Sequence, residues 1–265
     1  MLKQRVITAL AIGPTSLVLL FSLGGGAFAC FIGLILLGAG WEWANLSGAT
    51  TTREKASFVA LLFVTLVSFW LTGAAYAVWP LVLALLGWCL ALYWVARYPS
   101  ATDQWQASLR RYLMGICVLV PCWVGFLHLR ETPWWLLYVL FVVWGADIGA
   151  YFAGRAFGNR KLAPRVSPGK SWAGVYGGLG VTGVFAIIMG LCQQLSFAGG
   201  LWLIVISLVV TLASVLGDLF ESMLKRHRGI KDSGNLLPGH GGLLDRLDSL
   251  TAAVPLFALL APWVA

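Results

Sequence analysis

Long apolar runs dominate this chain and decide what it can fold into. A helix that spans a bilayer needs about 20 mostly apolar residues, and its backbone polar groups must be satisfied within the segment. Runs near 6–23, 26–46, 57–75, 77–97, 112–129, 133–153, 171–193, 200–223 and 247–264 fit that requirement, the last being short enough to lie partly in the interface. Of the 265 residues, 60% are hydrophobic and 11% are charged, against about 25% charged in a soluble domain. The expectation is an all-α polytopic membrane protein with about nine transmembrane helices. Three stretches organise it: N-terminal helices in 1–111, middle helices with a basic loop in 112–170, and C-terminal helices with a second polar loop in 171–265. The basic start and "AFAC" at Ala27–Cys30 mimic a signal peptide, but the apolar character resumes at once, so a first spanning helix is expected instead.

The charges between the runs are one-sided. With the N-terminus in the cytoplasm, 17 of the 18 Lys and Arg fall on the inner side and Arg130 alone falls outside. Such a bias is the positive-inside pattern, which puts the basic loops on the cytoplasmic side; the expected location is a bacterial inner (cytoplasmic) membrane. The net charge of +8 then reflects orientation and attraction to anionic membrane lipids. It calls for no nucleic-acid partner. The five cysteines form no CxxC pair and have no histidine at ligand spacing. They read as small apolar core residues, with no disulfide framework or zinc site.

Ionisable residues inside spans are functional candidates by default. Glu42, flanked by Trp41 and Trp43, reads as an interfacial carboxylate that snorkels or pairs with a basic residue. Asp147 sits among Gly145, Ala146, Gly149 and Ala150, small residues that let another helix or a ligand come close. Asp218 and Glu221 share a helical face, with Ser222 on the same side. Asp245 and Asp248 repeat the spacing where the last helix begins. Hard oxygens converging from two helices suit Mg2+, which takes one or two carboxylates and completes its shell with substrate phosphates.

Two inner loops carry the remaining chemistry. Gly154–Lys170 holds five basic residues and leads into "SPGKSW". The Gly169–Ser171 "GKS" is not a P-loop, because Pro164 stands where the first glycine belongs and no α/β context precedes it. It is a Ser, Gly and Lys ahead of a helix N-terminus, which serves equally as an anion site or as a helix cap. Lys225–Arg246 also holds five basic residues, with Gly239, Gly241 and Gly242 around His240. Glycines at φ > 0 let a backbone approach phosphate, and the lysines and arginines supply countercharge. Together these features suggest phosphoryl or nucleotidyl transfer to a lipid phosphate at the inner face, a chemistry of positioning and charge neutralisation.

Ser222–Ser249 resembles the signature of phosphatidate cytidylyltransferases (CDP-diacylglycerol synthases) through Ser222, Lys225, Arg226, Lys231, Asp232, Pro238, His240, Gly241, Gly242, Asp245, Arg246 and Asp248. Ser167–Trp172 is similar to that family's Ser-Pro-x-Lys-Ser/Thr-Trp patch, with Ala173 where some members carry Glu. The match covers roughly 140–250; the earlier spans match only in being hydrophobic. The resemblance implies that phosphatidic acid and CTP give CDP-diacylglycerol and pyrophosphate, for phospholipid synthesis. It implies Mg2+, with room for a second cation, on Asp218, Asp245 and Asp248, and Asp147 as a further ligand. Lys225, Arg226, Lys231 and Arg246 would neutralise the triphosphate. Ser167, Lys170, Ser171, His240, Gly241 and Gly242 would position phosphates. CTP, phosphatidic acid and membrane lipids are the expected partners, and a homodimer is allowed. A CTP-dependent lipid kinase of the polyprenol type and an ion-coupled transporter are the alternatives. The transporter would show inverted repeats, and none is visible in the sequence.

Overall fold

The computed structural model describes residues 14, 15, 17–237, 239 and 241–264. Half of the first expected span, with Pro238 and His240, lies outside them. Within them the chain forms α1 (Gly25–Leu46), α2 (Thr52–Leu71), α3 (Trp79–Ala96), α4 (Ser108–Arg130), α5 (Pro133–Phe157), β1 (Lys161–Ala163), β2 (Ser167–Ser171), α6 (Trp172–Cys192), α7 (Phe197–Arg228) and α8 (Asp248–Leu260). The polytopic, nearly all-α architecture is therefore as expected. Among the described residues, seven helices, α1 to α7, are long and apolar enough to cross a membrane. The last expected span is the 13-residue α8, extended by a 3-10 turn at Ala261–Val264.

Helix ends follow local chemistry. Thr51 and Glu54 form a reciprocal capping box at the start of α2. Pro133 opens α5, where a missing N–H costs nothing. α7 runs past its apolar stretch because Lys225, Arg226 and Arg228 are good helix formers and favour the negative end of the helix dipole. It stops at Gly229, whose φ of 73° is left-handed.

The bundle is apolar outside as well as inside. Leu61, Phe63 and Val64 of α2, Leu86 and Leu92 of α3, and Ile187, Ile188 and Leu191 of α6 are exposed, as lipid-facing residues are. Cys30, Cys89, Cys117 and Cys192 are exposed too, and only Cys122 is buried. The expectation of five core cysteines thus holds for one of them, because an apolar context does not tell core from lipid face. α8 is sunk into the centre, packed mainly on α4 and α7, with Val254 and Phe257 fully buried.

Small residues and hydroxyls join the last helices. A side chain at Gly149 would meet the Gly177 carbonyl oxygen, so α5 and α6 touch backbone to backbone, as the small residues around Asp147 predicted. Tyr138 of α5 shares a 2.6 Å hydrogen bond with Ser207 of α7, and Thr211 donates to Thr182 of α6 at 2.9 Å.

One end of the bundle gathers the charge. Arg111 at the start of α4 donates to the Leu46 carbonyl, Arg228 donates to the Asn45 carbonyl, and Arg226 donates to the Val166 carbonyl. Every described Lys and Arg except Arg130 lies in the elements or connections of this basic end. Arg130 caps Leu23 and Phe21 carbonyls at the opposite end.

Candidate active site

The region expected as a plain loop at Gly154–Lys170 is more ordered. Arg155 still belongs to α5, and the basic stretch folds back as a two-stranded antiparallel sheet. Arg226 pins this hairpin to α7 through the Val166 carbonyl at 3.2 Å. Ser167 begins β2, and Ser171 ends it as the N-cap of α6, accepting from the Gly174 N–H at 3.2 Å. Of the two readings offered for this segment, the helix cap is realised, at Ser171.

The hairpin delivers Lys170 to α7. Its ammonium is 2.6 Å from Asp218 Oδ2, while Ser222, one turn on, donates to Asp218 Oδ1 at 3.1 Å. Asp147, on α5, feels the charges of both Lys170 and Asp218. Asp147, Lys170 and Asp218 line a cavity of about 390 Å3 between α5, α6 and α7, together with small residues such as Ala146, Ala150, Gly174 and Gly178. Arg155 and Tyr151 stand on its wall, with Arg155 Nη1 3.3 Å from the Tyr151 hydroxyl.

A second charge cluster lies beside the first. Lys225 bridges Asp245 Oδ1 at 2.6 Å and Glu221 Oε1 at 3.2 Å. The other oxygen of Asp245 accepts from the Ser233 N–H at 3.0 Å and the Gly242 N–H at 2.9 Å. Burial raises the Asp245 pKa, but the Lys225 hydrogen bond, a hydrogen bond with the Glu221 carboxyl, the Lys225 charge and the Gly242 amide outweigh it and hold the carboxyl below its usual range. Asp245 is thus a clasp that ties Lys225 on α7 to the loop. The Gly242 amide, expected on a phosphate, has Asp245 as its acceptor here. A side chain at Gly242 would strike the Ser233 hydroxyl and the Glu42 carboxylate, which is the close approach that glycine allows at this position.

Asp248 opens α8 and accepts from its own neighbour, Ser249 N–H, at 2.7 Å. It is near enough to Asp218 to feel its charge. Gly217 makes that proximity possible: a β-carbon there would run into the Asp248 carbonyl oxygen. Lys231 is exposed on the loop, Gly241 takes a φ of 83°, and Arg246 sits in the 3-10 turn Leu244–Arg246. The structure therefore brings together Asp147, Lys170 and Asp218 in one group, and Lys225, Glu221 and Asp245 in another, with Asp248 beside Asp218.

One residue outside the expected site, Glu42, holds the loop. Glu42 accepts from the Ser233 hydroxyl at 2.9 Å and the Leu244 N–H at 2.8 Å. It is 2% exposed and in no ion pair among the described residues, so it neither snorkels nor pairs with a basic residue as expected, and neutral donors from the folded-back loop hold it instead. Its Trp-flanked position marked it in the sequence as an interface residue, and nothing marked its partners, 191 and 202 positions away.

Among the described residues no three His, Cys, Asp or Glu side chains form a ready-made metal cluster. The donor chemistry nonetheless fits a hard cation whose shell is completed by phosphates: the neighbouring carboxylates Asp218 and Asp248 offer oxygens only, and a lysine ammonium already sits against one of them.

Fold and site together define an integral-membrane protein with paired carboxylates and lysines at one end of its helices. The chain belongs to the cytidylyltransferase family, whose model matches residues 3–263. It is 48% identical to a phosphatidate cytidylyltransferase of Pseudomonas aeruginosa, over 100% of this chain and 98% of that protein. It is 40% identical to the phosphatidate cytidylyltransferase of Haemophilus influenzae, over 97% of this chain and 98% of that protein. For that of Bacillus subtilis the match is 43% over 56% of this chain and 58% of the relative. The likeness expected over roughly 140–250 therefore extends, for the first two, through the N-terminal helices as well.

Proposed function

We propose that this protein transfers the cytidylyl group of CTP to phosphatidic acid, giving CDP-diacylglycerol and pyrophosphate. The full-length likeness to phosphatidate cytidylyltransferases carries this reading. In the reaction a phosphate oxygen of the lipid bonds to the α-phosphorus of CTP. The bond from that phosphorus to the oxygen bridging to the β-phosphate breaks, and pyrophosphate leaves with the electron pair. A phosphomonoester dianion is a competent nucleophile near neutral pH, so the protein's task is positioning and neutralisation.

The cavity between α5, α6 and α7 is the proposed meeting place, since Asp147 and the paired Lys170 and Asp218 line it among small residues that leave room for a head group. Asp218 and Asp248 would hold Mg2+, with Asp147 as a further oxygen and room for a second cation. The ion would supply positive charge against the triphosphate. Lys170 exchanges Asp218 for a phosphate oxygen when substrate enters. Arg226, Lys231 and Arg246 offer charge to the triphosphate and the departing pyrophosphate, and Ser167, Ser171 and Gly241 line the approach. Lys225 and Asp245 hold the loop. By the positive-inside rule the basic end faces the cytoplasm of a bacterial inner membrane.

The test is product identity. Purified protein in detergent micelles of phosphatidate, given CTP and Mg2+, should release pyrophosphate one-for-one with CDP-diacylglycerol. Release of CDP instead would point to the lipid-kinase reaction and overturn the proposal.

A further inference from the structure

We propose that Glu42 is a positioning residue for the transfer: from the far end of the sequence, it sets the loop that carries Asp245 and Asp248. This rests on the cytidylyl-transfer reading of the site. Glu42 is 2% exposed, and a buried carboxylate without a basic partner is costly unless neighbours hydrogen-bond it. Among the described residues its donors come from the loop: Oε2 takes the Ser233 hydroxyl at 2.9 Å and the Leu244 N–H at 2.8 Å, while Oε1 is buried with no donor among them.

The loop is shaped around this carboxylate. A side chain at Gly234 or Gly242 would collide with it. Ser233 is the shared node: its hydroxyl goes to Glu42 and its N–H goes to Asp245 Oδ2 at 3.0 Å. Leu244, which donates to Glu42, immediately precedes Asp245. One turn along α1, Asn45 Nδ2 donates to the Ser233 carbonyl at 3.2 Å, and the Asn45 carbonyl accepts from Arg228 Nε at 3.1 Å. The end of α1 therefore grips the end of α7, the middle of the loop and the 3-10 turn before α8. Removing Glu42 releases Ser233 and Leu244 together, and with them the placement of Asp245 and Asp248 against α7.

The experiment compares wild type with Glu42→Ala, Glu42→Gln and Ser233→Ala in detergent, by two readouts. The first is steady-state turnover of CTP and phosphatidate. Glu42→Ala should lower kcat by about tenfold or more with KM for CTP changed less than about threefold, the pattern of a lost transition-state arrangement. Glu42→Gln, which keeps an oxygen acceptor for both donors, should restore most of it. The second readout needs no activity: trypsin cleavage after Lys231, which is exposed on the loop, should be faster in Glu42→Ala and near wild type in Glu42→Gln. Wild-type kcat and wild-type protection in Glu42→Ala would overturn the proposal. If Glu42→Ala does not accumulate, Ser233→Ala decides: a fall in kcat with faster cleavage supports the role, and wild-type behaviour overturns it. A wild-type protein that does not turn over these substrates, while Glu42→Ala still opens the loop, would sink the assigned reaction and leave the loop-setting role standing.

Discussion

Asp218 is the residue on which the proposed chemistry turns, because it meets a lysine from the hairpin, a serine from its own helix and the charge of Asp248. Asp218→Asn and Asp248→Asn are expected to cut turnover by about 10²-fold or more, the scale of losing a preorganised electrostatic group, while both variants still insert and stay monodisperse in detergent. Near-wild-type activity in either would remove that residue from the site. Asp245 makes a different prediction. Its folded pKa lies below the unfolded value, so the stability it adds is present above the ordinary carboxylate range and is lost as pH falls through its folded pKa. Asp245→Asn should therefore lower the Tm at pH 7, with the gap to wild type closing on acidification below about pH 4; a gap independent of pH would contradict the clasp. At this scale the sequence was informative where partners are close in the chain. The Asp218–Ser222 hydrogen bond follows from helical spacing. Glu42 was legible only as an oddity, because burial against a loop some 200 residues on leaves no trace in local pattern.

At the scale of elements, close contact sets the geometry. Gly217 lets α8 begin against α7, so Gly217→Val should displace Asp248 and reduce activity more than it reduces stability, measured as kcat beside Tm in the same detergent. By contrast, the Tyr138–Ser207 bond joins helices away from the charges. Tyr138→Phe should cost about 0.6 kcal/mol, typical of a hydrogen bond between membrane helices, and leave turnover within about twofold. The long helices were readable from apolar length. The hairpin was not, since strands of 3 and 5 residues within a basic stretch offer no periodicity to detect. The extension of α7 to Arg228 was missed for a related reason: span detection ends where charges begin, whereas a helix ends where its backbone does, at left-handed Gly229.

For the whole molecule, the apolar outer faces and the collection of basic residues at one end describe a protein that is solvated by lipid around its waist and gathers its charge at one membrane surface. With the native cysteines replaced, Lys231→Cys should react with a membrane-impermeant thiol reagent in inverted vesicles and stay unlabelled in intact cells; the reverse pattern would invert the proposed orientation. The central claim concerns which phosphorus of CTP is attacked, and isotopic labelling reads that directly. With phosphatidate as acceptor, label in the α-phosphate of CTP should pass into the chloroform-soluble lipid, and label in the γ-phosphate should appear only in pyrophosphate. Label from the γ-phosphate in the lipid, with CDP left in the water phase, would contradict the account.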